Sequence, residues 1–321
     1  MNKRGAMGRR TFLAVAGGAA AAAIVRPTSA AGEAAGGWRG TKMALDIKDP
    51  SALAVAPDGI IYVAGENVVV ALGPDGNKRL RFAVQGRPGC LCITRENELL
   101  AGMRRHVEVF KGDGTKLSEW ADLGERAWLT SVACDGENVY VADAGNRIVW
   151  RFDRGGKLIN QIGEKFNVPS PYFDVAVNPI GELWVVNPGM HGLENYRPEG
   201  GLASSWYRPG IEPEAFCGCC NPIHIAFMGD NSLVTVEKGI DRVKVYGPDT
   251  SLIAVVAGPA EALTKDNTTL GCNIEAASAD LAVDAKNRIL VLNKREKCML
   301  VYSNAGSDEA AGTPLLRVRQ E

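Results

Sequence analysis

SVACDGENVYVADAGNRIVWRFDRGGKL, Ser131 to Leu158, reads as four short strands in succession. An apolar strand runs into a polar turn; the strand VYVAD follows, then the turn AGN, the strand RIVWRF, and the turn DRGGK before a last strand. Apolar and polar side chains alternate at the two-residue period of a strand, and Gly, Asp and Asn stand where turns need positive backbone angles. Four short antiparallel strands of this kind make one blade of a β-propeller, which limits exposed sheet edges by radial repetition.

The same order recurs as LAVAPDGIIYVAGENVVVALGPDGNKRLRF, LCITRENELLAGMRRHVEVFKGDGTKLSEW, VAVNPIGELWVVNPGMHGLENYRPEGGLASSW, IAFMGDNSLVTVEKGIDRVKVYGPDTSLIAVV and LAVDAKNRILVLNKREKCMLVYSN. With Tyr62, Leu100, Tyr140, Trp184, Val234 and Leu290 as equivalent second-strand positions, the spacing grows from 38 to 56 residues. The strand cores keep step while the connecting loops lengthen. A lone blade cannot bury both faces, so the units must pack on one another in a closed ring.

These units resemble NHL repeats, with the best copy at Tyr140 to Leu158, YVADAGNRIVWRFDRGGKL. The resemblance covers residues 31–321 and implies an all-β fold, a six-bladed β-propeller of four-stranded blades. The sixth copy runs out after Tyr302 without a clear fourth strand. Propellers of this family commonly complete one blade with a strand from the other end of the chain. Trp38 to Ile47 and Pro314 to Val318 are the two segments that could do it, and the N-terminal one is favoured.

Ahead of the repeats, residues 1–30 read as a secretory signal of twin-arginine character: Arg9 and Arg10 precede Thr11, Phe12, Leu13 and an Ala- and Gly-rich segment to Val25. That segment is too short for a membrane span of about 20 residues, and Thr28 to Ala30 offers a small-residue cleavage site. Export by the twin-arginine route, to the periplasm or otherwise out of the cytoplasm, is the expectation, with no membrane span after cleavage. Such signals resemble those of proteins that fold, and take up cofactors, before crossing the membrane. Loss of residues 1–30 removes five basic residues and no acidic one, taking the net charge from −1 to −6. A mildly acidic chain without a basic patch argues against nucleic acid as partner. A single propeller is read as a monomer.

The repeat alignment places each of the eight cysteines. Cys92 falls where other blades carry Ala54, Ala133, Ala176, Ala226 and Ala282, and Cys134 falls with Val55, Ile93, Val177, Phe227 and Val283, so both read as core. Cys298 opens an outer strand. Cys90 starts its inner strand in register with Ala52, Ser131, Asp174, His224 and Asp280, positions at the mouth of the central channel. The aspartates there suit strand-start caps as well as a site, and His224 suits a satisfied buried histidine as well as a ligand.

The other four, Cys217, Cys219, Cys220 and Cys272, lie in loops that hand one blade over to the next, before the fifth and before the sixth. Four thiols on neighbouring loops suit an iron–sulfur cluster of the 4Fe–4S type, or a tetrahedral zinc or a copper site, with Cys90 or His224 able to complete the set. In an oxidising compartment the same loops suit disulfides, with Cys217 or Cys220 bonded to Cys272. The first reading makes the protein a carrier of a cysteine-ligated site acting in electron transfer, or a redox-associated partner of another exported protein. The alternative is a non-enzymatic propeller that binds a ligand or protein and is stapled by disulfides.

A hydrolase or lyase with an axial metal is a third reading. His106, His191 and His224 stand at unlike blade positions, which disfavours a histidine centre. Asp174 and Asp280 with Asp143, Asn187, Glu237 and Asn293 leave an oxygen-ligand centre open, although the last four match a turn-capping position of the repeat. Two aromatic-bearing segments, Gly163 to Tyr172 and Pro198 to Pro213, could cover the same face, although simple loop packing is the favoured reading.

Overall fold

The computed structural model describes residues 37–239, 241–258 and 279–304. Its strands form six sheets of four antiparallel strands each. The first blade is β2 (Ala52–Val55), β3 (Ile61–Gly65), β4 (Val68–Leu72) and β5 (Lys78–Ala83). The second holds β6 (Cys90–Ile93), β7 (Glu98–Gly102), β8 (Val107–Lys111) and β9 (Lys116–Glu119), and the third β10 (Leu129–Cys134), β11 (Asn138–Asp143), β12 (Ile148–Asp153) and β13 (Leu158–Ile162). The fourth is β14 (Val175–Val177), β15 (Leu183–Asn187), β16 (Gly192–Tyr196) and β17 (Leu202–Tyr207). The fifth is β18 (His224–Phe227), β19 (Leu233–Glu237), β20 (Arg242–Tyr246) and β21 (Leu252–Ala257).

The sixth blade takes β22 (Ala279–Val283), β23 (Ile289–Asn293) and β24 (Cys298–Asn304) from one end of the chain and β1 (Trp38–Ala44) from the other. β1 pairs antiparallel with β24 from Trp38 opposite Asn304 to Ala44 opposite Cys298, so the N-terminal segment closes the ring as the sequence predicts. Pro314 to Val318 lies outside the described residues. The innermost strands β2, β6, β10, β14, β18 and β22 each touch the next round a circle, with β22 returning to β2.

The core is divided among the seams. Each of the six apolar clusters joins two neighbouring blades; Val234, Val245 and Val256 of the fifth blade, for example, meet Leu281, Ile289 and Val291 of the sixth. Alternation along each strand sends successive side chains to opposite seams, as in Leu53 toward the sixth blade and Ala52 and Ala54 toward the second. The Asp–Gly turns take the backbone predicted for them: Gly114 has φ +88°, and a Cβ there would come within 2.5 Å of the Phe82 ring. Among the described residues no helix is long and apolar enough to cross a membrane.

Candidate functional site

The long loop Arg208 to Ile223, between β17 and β18, carries the cysteine cluster and is clamped from beneath by charge. Lys244 on β20 is completely buried and ion-paired with Glu237, also completely buried. Its Nζ donates to the carbonyls of Ala215 at 2.8 Å and Pro213 at 3.1 Å. Arg242 shares Glu237 at 2.8 Å, and the Tyr246 hydroxyl donates to the carbonyl of Glu214 at 3.0 Å. Phe216, buried between Trp206 and Tyr246, lies under the Lys244 ammonium at 4.7 Å. Burial drives Lys244 down to about 8 against the opposing pull of Glu237. A buried ammonium is tolerated only with partners, and here they are loop carbonyls, so the charge fixes the loop.

Beyond Phe216 the chain turns through Gly218 at φ +90° and reaches a cis Asn221–Pro222 bond. Buried Asn221 donates to the carbonyls of Cys217 at 2.5 Å and Lys238 at 3.0 Å, and accepts the Lys238 amide at 2.9 Å. The sulfurs of Cys219, exposed, and Cys220, buried, stand 3.1 Å apart. Cys220 also touches the Ser170 hydroxyl at 3.2 Å; Ser170 accepts from the Lys238 ammonium at 3.1 Å, and that ammonium lies 4.8 Å over the Tyr172 ring. Burial and the adjacent Cys220 push Tyr172 up to about 12. The aromatic-bearing segment before the fourth blade and the cysteine loop before the fifth thus meet on one face.

Among the described residues no two cysteines are joined by a disulfide. Cys90, Cys92, Cys134, Cys217 and Cys298 are free thiols, and Cys220 is not disulfide-bonded. Cys219 is disulfide-bonded. Cys272 lies outside the described residues.

At the channel mouth, the first residues of the inner strands reach across the seams. Asp174 Oδ2 accepts the amide of Ile225 at 2.7 Å and Asp280 Oδ2 that of Leu53 at 2.7 Å; Ser131 Oγ does the same to Val175 at 3.3 Å. Their role is the strand-start cap foreseen above, with the capped strand belonging to the next blade. His224 Nδ1 sits between the two carboxylates, 3.4 Å from Asp174 and 3.6 Å from Asp280. Cys90, buried against the seam between the second and third blades, has its thiol pushed up by burial and then by Asp280 and Asp174, so it stays protonated. Lys294, just past β23, is pushed down by burial, with Asp280 opposing and Arg87 reinforcing. It lines a cleft of about 740 Å³ with Asp49, Glu66, Asn67, Arg87 and Arg295.

The second-strand ends organise turns. Asp143 accepts the amides of Trp128, Gly145 and Asn146 and the indole of Trp150. Asn187 accepts the Asn167 amide and donates to Glu194, and Asn293 accepts the Glu296 amide. Glu237 departs from this pattern through its two cations. Elsewhere, His106 stands 3.7 Å from Glu108 and 3.8 Å from Glu119, with Lys116 already paired to both carboxylates, and His191 occupies a left-handed turn. Sequence reasoning missed Ser170, Lys238 and Lys294. The repeat alignment held a signal for the two lysines, which directly follow the equivalent positions Glu237 and Asn293.

No family model and no curated protein matches the chain. Among solved structures, a gluconolactonase from Xanthomonas campestris has a TM-score of 0.61 at 14% identity, over 87% of this chain and 98% of that one. The virginiamycin B lyase of Staphylococcus aureus has a TM-score of 0.59 at 12% identity, over 83% and 99%. The WD40 propeller domain of Doa1 has 0.56 at 11% identity, over 86% and 90%. The likeness is one of fold. Propellers carry many chemistries, so function has to be argued from this chain's own side chains.

Proposed function

We propose that this chain is an exported, redox-associated propeller that works through its cysteine loop, exchanging thiols and disulfides with a protein partner docked on the channel-mouth face. One observation carries the reading: the Cys220 sulfur rests 3.1 Å from that of Cys219, which is already disulfide-bonded. Of the eight cysteines, six described ones have no disulfide, and we assign Cys272 as the partner of Cys219. Cys219 is the exposed member, open to a partner thiolate. Exchange proceeds by attack of a thiolate on a disulfide sulfur. The partner's first thiolate bonds to Cys219 and Cys272 leaves as a thiolate that takes up a proton; the partner's second thiolate then releases Cys219, and the partner departs oxidised. Cys220, with Ser170 and Lys238 behind it, is placed to take Cys219 from the mixed disulfide in competition with that second thiolate. NHL-type repeats and twin-arginine export belong to the same proposal, supported by the repeated units and by Arg9 and Arg10.

An iron–sulfur cluster on Cys217, Cys219, Cys220 and Cys272, feeding electrons to a partner, is the second reading. The clustering of cysteine side chains on a clamped loop and the export signal favour it. The donor set fits less well. Each thiolate of a four-iron cluster binds a different iron, and sulfurs 3.1 Å apart are closer than two separate irons allow.

The deciding experiment is anaerobic purification after cytoplasmic expression and again after export. Iron, acid-labile sulfide and alkylatable thiols are counted before and after reduction. Exchange chemistry predicts no iron and two additional alkylated thiols, Cys219 and Cys272, on reduction of the exported form. Stoichiometric iron and sulfide, lost in Cys272→Ala and kept in Cys92→Ala, establishes the cluster instead. Iron-free protein with every thiol alkylated before reduction in both preparations sinks both readings.

A further inference from the structure

Cys92 and Cys134 belong to different sheets. β6 and β10 are the innermost strands of the second and third blades, and they lie side by side round the channel. Cys90 opens β6 at the mouth, so Cys92 lies two residues down the channel, and Cys134 ends β10 at its far end. The sequence places the pair in slots that other blades fill with Ala and with Val. The ring brings their sulfurs to 3.2 Å. Both are free, and both are half-buried against the cluster of Leu100, Val132 and Val139 at that seam. Cys134 also points at the carbonyl of Ile93 at 3.5 Å. Their titration is split: the hydrogen bond with Cys92 moves Cys134 down, while Cys92 moves up. Cys134 is therefore the first of the pair to ionise, and Cys92 the one that keeps its proton.

We propose that Cys92 and Cys134 form a second redox site, closing to a disulfide between the second and third blades when the protein meets a small-molecule disulfide oxidant. The sulfurs have to approach by only about 1.2 Å to reach the S–S bond length, a movement within reach of side-chain rotation. Cys134 thiolate attacks one sulfur of the oxidant, whose other half leaves as a thiolate and is protonated. Cys92 then gives up its proton and attacks the Cys134 sulfur, and the second half of the oxidant leaves. Two cysteine thiols become one disulfide, and one oxidant disulfide becomes two thiols. Half-burial restricts the site to small oxidants, unlike the exposed Cys219. The closed bond adds a covalent tie to two sheets that otherwise meet through packing, the Arg154–Glu96 ion pair and the Leu129 amide on the Arg104 carbonyl, so oxidation stiffens this seam. The proposal does not depend on the chemistry of the cysteine loop.

The test equilibrates the purified full chain in glutathione buffers from fully reduced to fully oxidised, quenches with an alkylating agent and maps peptides. Cys92 and Cys134 should leave the alkylated pool together and reappear as one cross-linked peptide. The thermal midpoint should rise in step with the cross-link. Cys92→Ala and Cys134→Val install the residues that other blades carry at these slots, so both variants should fold, lose the cross-link and lose the rise. Both thiols alkylated at every ratio, or each capped by its own glutathione without a cross-link, would overturn the proposal.

Discussion

The carboxylate of Asp174 accepts the amide of Ile225 at 2.7 Å across the seam between the fourth and fifth blades. Asp280 makes the same contact with Leu53 where the last blade meets the first. Strand edges facing a channel have N–H groups without ladder partners, and at these two seams a charged acceptor from the preceding blade satisfies one. Asp174 is 6% exposed, so Asp174→Ala leaves the Ile225 amide without its acceptor and should cost about 2 kcal/mol in denaturant unfolding. Asp174→Asn keeps an acceptor oxygen and should recover part of the loss. An unchanged midpoint in the alanine variant would remove the seam contact from the account of stability.

Asn221 ties the cysteine loop to the turn after β19 by two hydrogen bonds with Lys238, and braces the loop internally by a third to the Cys217 carbonyl. Its removal should act locally as well as globally. Asn221→Ala is expected to lower stability by about 2–3 kcal/mol. It should also raise the alkylation rate of buried Cys220 at least about tenfold, the factor that a 1.4 kcal/mol change in local opening produces. A lowered melting temperature with Cys220 as slow as before would mean that the loop is held by the Lys244 clamp alone.

Most of the architecture was legible because its signals are local. The alignment that set Ala54, Cys92, Ala133, Ala176, Ala226 and Ala282 in one column and Tyr62, Leu100, Tyr140, Trp184, Val234 and Leu290 in another is realised as six cross-strand pairs. Alternation and turn residues dictate register within a blade. Contacts between blades carry no such signal. The approach of Cys92 to Cys134, and of Lys238 to Ser170, depends on how far one sheet is rotated against the next. Glu237 shares its column with Asp143, Asn187 and Asn293, yet its role is set by Arg242 and Lys244 on the following strand. Cys219 and Cys220 could be seen as neighbours, but the turn that brings both sulfurs together is visible only in the fold.

Ring closure through β1 makes a prediction of its own. Trp38 is 4% exposed and packs with Tyr302 in the seam between the fifth and sixth blades. Trp38→Ala should cost about 3–5 kcal/mol by the cavity it leaves. A chain beginning at Leu45 loses the whole β1–β24 ladder and bares the edge of β24. It should melt at lower temperature and scatter light on standing, because an unpaired edge templates association. A cooperative transition at the full-length temperature would show that another segment closes the ring.

Lys244 gives stability a pH dependence whose sign follows from its burial. Its ammonium titrates at about 8 in the folded protein against 10.5 ordinarily, with desolvation as the main cause. Between those values the unfolded chain holds the proton and the folded chain has released it, so unfolding takes up protons and stability rises with pH. Below about 8 both states are charged and the full cost of burying the charge is present; above 10.5 both are neutral and the gain is complete. The rise attributable to this group is about 3 kcal/mol at most, from about 1.4 kcal/mol per unit of pKa. Lys244→Met should remove that rise. The wild-type unfolding free energy minus that of the variant, measured in urea at pH 7.5, 9 and 10.5, should therefore increase with pH, while titrations common to both chains cancel. A difference that is flat across this range, or that falls, would mean that Glu237 and the loop carbonyls hold the ammonium charged throughout.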